Sequence, residues 1–166
     1  MKKLFTLLAL TIVFNVNAQY WFAGTASNAI QTANATASGI YSTAMGKDSQ
    51  AKGDYSTAMG RDTETTDDAN FSTAMGIYTT ASGSQSTAMG RSTLSSGTYS
   101  TAMGKNTEAL GRISTAMGHY TKASDYGSLV IGQYNSAGST VTNSATAYDA
   151  DNTAFVIGNG VDGSNT

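Results

Sequence analysis

The sequence predicts an all-β protein, a narrow β-roll or solenoid of ~14-residue coils with two short strands in each. Three observations carry this. The pentapeptide Ser-Thr-Ala-Met-Gly occurs six times unchanged, at Ser42–Gly46, Ser56–Gly60, Ser72–Gly76, Ser86–Gly90, Ser100–Gly104 and Ser114–Gly118, with looser copies at Ser128–Gly132 and Ala154–Gly158. The start-to-start steps are 14, 16, 14, 14, 14 and 14 residues, then 26, and so short a period means one coil per repeat. Finally, the 166 residues include 18 Gly but no Pro or Cys, and only 12% are charged. Such a chain lacks the apolar bulk for a thick core and has no disulfide framework, so backbone ladders and close packing must hold it together.

Met1–Ala18 has the layout of a secretory signal peptide: Lys2 and Lys3, the apolar run Leu4–Phe14, and small residues at Val16-Asn17-Ala18. The run is too short to span a bilayer, which takes about 20 residues, and no other stretch approaches that length. Removal of the leader takes the net charge from −2 to −4. The composition offers no basic patch for nucleic acid. Residues 19–40 read as an N-terminal cap and first partial coil: Tyr20-Trp21-Phe22 would cover the open end of the roll, with an aromatic ligand cluster as the alternative, and Ala35, Ala37 and Gly39 already fall into register.

Residues 41–160 form the roll proper. Each repeat opens with Ser-Thr-Ala-Met-Gly, usually after Tyr41, Tyr55, Phe71, Tyr99 or Ile113, although Gln85 breaks the rule. The second half places Ser or Thr eighth (Ser49, Thr63, Thr79, Thr93, Thr107, Thr121), mostly Ala tenth and mostly Gly twelfth. Each half is expected to be about five residues of strand followed by a turn. Alternation puts Ser, Ala and Gly on one face of both strands, and those faces must meet inside. The other face of the second strand carries Gln50, Lys52, Leu94, Glu108, Lys122 and Ser124, and is expected to meet water.

That leaves one face without a home. The first strand's outward face is predicted to carry the aromatic, Thr and Met, so stacking coils ~4.8 Å apart makes a column of Met45, Met59, Met75, Met89, Met103 and Met117, extended by Ile131 and Ile157. The strip should exceed the roughly 300–600 Å² of a typical monomer's largest apolar patch. Its expected fate is burial against copies of the same chain, through Tyr55, Thr57, Met59, Phe71, Thr73, Met75, Thr87, Met89, Tyr99, Thr101, Met103, Thr115, Met117 and Ile131.

The repeat Ser-x-Ala-x-Gly-x-x-Ser/Thr-x-Ala-x-Gly-x-x resembles the head repeats of trimeric autotransporter adhesins, the YadA-like head, over roughly Ala35–Gly160. The resemblance implies that the roll is left-handed and parallel, that three chains assemble as a parallel homotrimer, and that the head is displayed on a bacterial surface. In that family the first strand commonly reads Ser-Val-Ala-Ile-Gly, so Thr43 and Met45 stand where Val and Ile would, and Ser128-Leu129-Val130-Ile131-Gly132 is closer to the family form. The family continues into a neck, a coiled-coil stalk and a membrane β-barrel. Residues 161–166 are read as a C-terminal loop that stops short of the neck and stalk.

Two irregularities interrupt the period. The second repeat is two residues long, and Thr65–Asn70 is expected to bulge between coils; its acids match no Ca²⁺ loop spacing and read as a solvated acidic loop. Residues 134–152 read as a longer surface excursion. No catalytic chemistry is predicted: the Ser residues have no triad partners, no phosphate loop is present, and the single His, His119, is expected at a solvent-facing turn. No cofactor or metal is implied. The functional expectation is an exported adhesin head, at the cell surface, outer membrane or outside the cell, binding an unidentified extracellular matrix protein or glycan. The alternatives are an ice-binding solenoid built on the Thr column and a structural segment of a fibre or tail spike.

Overall fold

The computed structural model describes residues 21–24, 26–135 and 144–160. The proposed leader, the loop at 161–166 and the 136–143 part of the excursion lie outside the described residues. Each Ser-Thr-Ala-Met-Gly copy forms a strand that starts at its Thr and ends one residue past its Gly: Thr43–Lys47, Thr57–Arg61, Thr73–Ile77, Thr87–Arg91, Thr101–Lys105 and Thr115–His119. Leu129–Gln133 and Phe155–Asn159 continue the series. With Ile30–Thr32 before them they lie parallel in one ten-stranded sheet, and Trp21–Ala23 closes its first edge by pairing antiparallel to Ile30–Thr32. Equivalent residues pair throughout, including Met59 with Met75 across the long coil and Ile131 with Ile157 across the excursion.

The second half of each coil builds a seven-stranded parallel sheet from Ala35–Ala37, Ser49–Ala51, Glu64–Thr65, Thr80–Ala81, Leu94–Ser95, Glu108–Ala109 and Lys122–Ala123. These strands have two or three residues, shorter than the five expected, because the coil must turn at both ends. Each turn uses one residue in the left-handed region. One corner file is Tyr41, Tyr55, Phe71, Gln85, Tyr99 and Ile113; the other is Asp48, Asp62, Tyr78, Ser92, Asn106, Tyr120 and Tyr134. Their amides are tied to the preceding coil, as where Tyr55 N–H donates to the Ile40 carbonyl at 2.7 Å and Tyr78 N–H to that of Arg61 at 3.0 Å.

Between the sheets the core is one small residue deep. Ala44, Ala58, Ala74, Ala88, Ala102 and Ala116 face Ala51, Thr65, Ala81, Ser95, Ala109 and Ala123, all fully buried. Val130 takes the same place in the Leu129–Gln133 strand, with Val156 packed against that end of the core. The long coil is absorbed with less disturbance than a bulge across Thr65–Asn70 would bring. Thr65 enters the core where Ala stands elsewhere, its hydroxyl 2.7 Å from Ser56 Oγ, and Ala69 takes the Gly place, leaving Asp67 and Asp68 exposed. The excursion also begins later than residue 134. Tyr134 still belongs to a corner file, and the Asn135 side chain accepts from Lys122 N–H at 2.7 Å and donates to its carbonyl at 2.9 Å, standing in for the missing next short strand. Ser124, expected to meet water, is buried where the returning chain at Ser144–Ala145 bonds to Tyr126 and Arg112.

The buried eighth-position hydroxyls are unequal. Thr63 Oγ1 donates to Ser49 Oγ at 3.0 Å and Ser49 Oγ donates to the Gly60 carbonyl at 3.0 Å, but among the described residues the hydroxyls of Thr79, Thr93, Thr107 and Thr121 have no partner. A buried hydroxyl without a bond costs about 1–3 kcal/mol, and Val has nearly the same shape. Thr93→Val and Thr107→Val should therefore each stabilise the fold by about 1 kcal/mol, raising the melting temperature by roughly 2–4 °C. Thr63→Val, which breaks a bond, should give no rise in the same thermal melt.

Candidate interaction face

In-register pairing sorts the outward face of the ten-stranded sheet into files. Thr57, Thr73, Thr87, Thr101 and Thr115 form one, all half-buried; Met59, Met75, Met89, Met103, Met117 and Ile131 form the next. The thioether file is the more open, with Met89 and Met117 each 37% exposed and Ile157 at its end 67% exposed. The alternation argument therefore holds for Ser, Thr, Ala and Met. At the head of the sheet, Met45, Gly46, Met59 and Gly60 line a groove of about 550 Å³ closed on one side by Thr32–Asn34.

The aromatic residues do not share that face as expected. Tyr55, Phe71 and Tyr99 sit in the corner before the strand, at φ of 55°, 57° and 61°, where alternation no longer applies. They remain close to half exposed or more, so they flank the Thr file instead of extending it. Tyr41, Tyr55 and Phe71 stack face to face, centroids 5.2 and 4.9 Å apart, and Tyr120 stacks on Tyr134 at 4.9 Å. Such pairs contribute about 0.5–1.5 kcal/mol each, against a left-handed backbone that costs an L-residue roughly 1–2 kcal/mol. Ile113 has no such offset. A β-branched residue at φ 62°, it remains 44% exposed.

The other edge of the face carries a feature that composition hides. Lys47, Arg61, Arg91 and Lys105, four of the chain's nine basic residues, end four of five successive long strands and are all exposed. Their shared repeat position was visible in the sequence, but net acidity and scattered numbering masked it. His119, next in the file, is half-buried instead of facing solvent: its ring packs against Tyr120 at 4.6 Å and edge-on to Tyr134 at 5.1 Å, and Nε2 is buried without a partner among the described residues. Away from this face, ion pairs across neighbouring short strands join Lys52 to Glu64 at 2.6 Å and Lys122 to Glu108 at 3.0 Å.

A fold whose inner faces are sealed by Ala, Ser and Thr, and whose outer face is ruled into continuous files, is a repeat-built β-solenoid module. The family model described as YadA head domain repeat (2 copies) matches residues 33–63, 69–93, 95–112 and 114–135, more than half of the chain, and the chain belongs to that family. The break between 63 and 69 spans the exposed Asp67 and Asp68, where the coil is two residues long. No curated protein matches the chain. No helix among the described residues is long and apolar enough to cross a membrane.

Proposed function

We propose that this chain is the head of an exported, surface-displayed adhesin in which three copies pack side by side along the Thr–Met face. The observation that carries the reading is the unbroken thioether file from Met45 to Met117, half-open on a single chain and lacking any covering element among the described residues. At ~25 cal/mol per Å² its burial would stabilise an assembly by many kcal/mol before association costs. The strained, exposed Ile113 supports the same reading, since a contact from a neighbouring chain would offset a backbone conformation the single chain leaves uncompensated. Left-handed winding, three as the copy number and display at the cell surface are what family membership adds to the proposal, and export rests on the leader-like layout of residues 1–18.

Binding follows from repetition. Each coil presents the same outer positions, so a polymer would meet many weak equivalent contacts, which multivalency converts into firm attachment. The test is a solid-phase assay of the assembled mature chain against matrix proteins and glycans: retention on at least one is expected, and none at all would count against an adhesive role. The in-register Thr file from Thr43 to Thr115 favours one competing reading, an ice-binding surface. Strong inhibition of ice recrystallisation by single chains would decide for it.

A further inference from the structure

We propose that the cation file of Lys47, Arg61, Arg91 and Lys105 binds a linear anionic polysaccharide laid along the solenoid axis. This gives a ligand class to the adhesin reading above and rests on it, but does not require a particular number of copies. The four side chains close four of five successive long strands in strict register, Lys47 beside Arg61 and Arg91 beside Lys105, with Ile77 between the two pairs. Neighbouring strands are ~4.8 Å apart, so each pair places two like charges at adjacent rungs. Like charges directly opposite in a sheet are destabilising, and a ligand anion relieves that repulsion.

The pairs are not equivalent. Lys47 has Asp48 at 3.8 Å, and Arg61 has Asp62 at 3.4 Å, the Tyr78 hydroxyl at 3.0 Å and the Tyr78 ring beneath its guanidinium. Arg91 and Lys105 are followed by Ser92 and Asn106, which are neutral, and neither makes an ion pair among the described residues. The file therefore has a compensated half and an open half. In an assembly that buries the Met file, the cations must stay at its rim, because an unpaired buried charge costs several kcal/mol.

The chemistry favours a glycan over duplex nucleic acid. One narrow file beside Asp48 and Asp62, on a chain of net charge −2, is poorly matched to a duplex carrying one charge per ~1.7 Å of axis. A sulfated or uronate-bearing chain has sparser anions on sugar units whose advance is close to one coil. Arg is suited to bidentate contact with sulfate or carboxylate, and the exposed Tyr78 and Tyr120 side chains beside the file offer hydroxyls to the sugar.

The experiment measures binding of the mature chain to immobilised heparin, with neutral dextran and duplex DNA as the other arms. Salt-sensitive retention on heparin is expected, with none on dextran and weaker binding to DNA. Arg91→Gln with Lys105→Gln should weaken heparin binding by about tenfold or more, the loss of two charge-assisted contacts. Lys47→Gln with Arg61→Gln should weaken it less, and Lys122→Gln, on the other sheet, should leave it unchanged. No retention of the wild-type chain on heparin, unaltered affinity of the Arg91/Lys105 variant, equal loss in the Lys122 variant, or DNA bound as tightly as heparin would each overturn the proposal. Retention on a matrix protein without retention on heparin would overturn this ligand class while leaving the adhesin reading in place.

Discussion

Replacing Met75 and Met89 by Asp is expected to reduce the native mass of the mature chain to that of a single copy. Both side chains sit at the middle of the thioether file, paired with each other across neighbouring strands. On one chain they are partly open to water, so a carboxylate there can stay hydrated and the coil can still form. In the proposed trimer the same carboxylates would be brought together in a dry seam, at a cost of several kcal/mol per ion. The contrast between tolerated folding and lost assembly is the diagnostic part. Met75→Leu with Met89→Leu keeps the apolar volume and should keep the assembly, while Ser96→Asp, on the exposed face of the other sheet, adds charge without reaching the seam. Light scattering after size exclusion reads all three. An unchanged mass for the Asp variant would mean that the file is not where copies meet.

Much of this architecture can be read from spacing alone because the solenoid is nearly one-dimensional: a residue's place is fixed by its position within 14. Hence the Ser/Ala interior, the Met file and the rejoining of Phe155–Asn159 beyond the excursion were all legible, even where the step changed to 16 or 26. What alternation could not foresee lies where the backbone leaves the extended region. Spacing puts Tyr55, Phe71 and Tyr99 on a strand face, yet they adopt positive φ, and a period-2 argument has no content there. Large side chains at left-handed corners are also contrary to local preference, which favours Gly, Asn or Asp, so no turn signal announced them. The orientation of His119 depends on Tyr120 and Tyr134 at the corner, where alternation says nothing, and the burial of Ser124 on the returning Ser144–Ala145 segment, a neighbour that the repeat does not encode. The cation file was legible in principle. It requires comparing position six across repeats, where Ile77 and His119 interrupt the series.

A methyl group on Gly90 should damage the fold more than any surface change considered above. Gly90 lies in the middle of the ten-stranded sheet at φ +124°, a conformation L side chains rarely adopt, and a Cβ there would fall deep inside the contact distance of the Gly104 carbonyl oxygen. That oxygen belongs to the backbone of the next coil, which is fixed by its own ladder on both sides, so it cannot swing away as a side chain could. Gly90→Ala is therefore expected to cost at least about 3 kcal/mol, lowering the melting temperature by roughly 6–12 °C. Because contacts run only between neighbouring coils, the damage should appear first as lost amide protection in the Thr87–Arg91 and Thr101–Lys105 strands. Gly127 is the control. It also has positive φ, +66°, but it lies at the corner that Tyr, Phe, Gln and Ile occupy in other coils, and a Cβ there meets nothing within 4 Å. Gly127→Ala should cost only about 1–2 kcal/mol, the backbone penalty alone. If the two variants melted together, steric stacking of the glycine file would not be what sets the coil spacing.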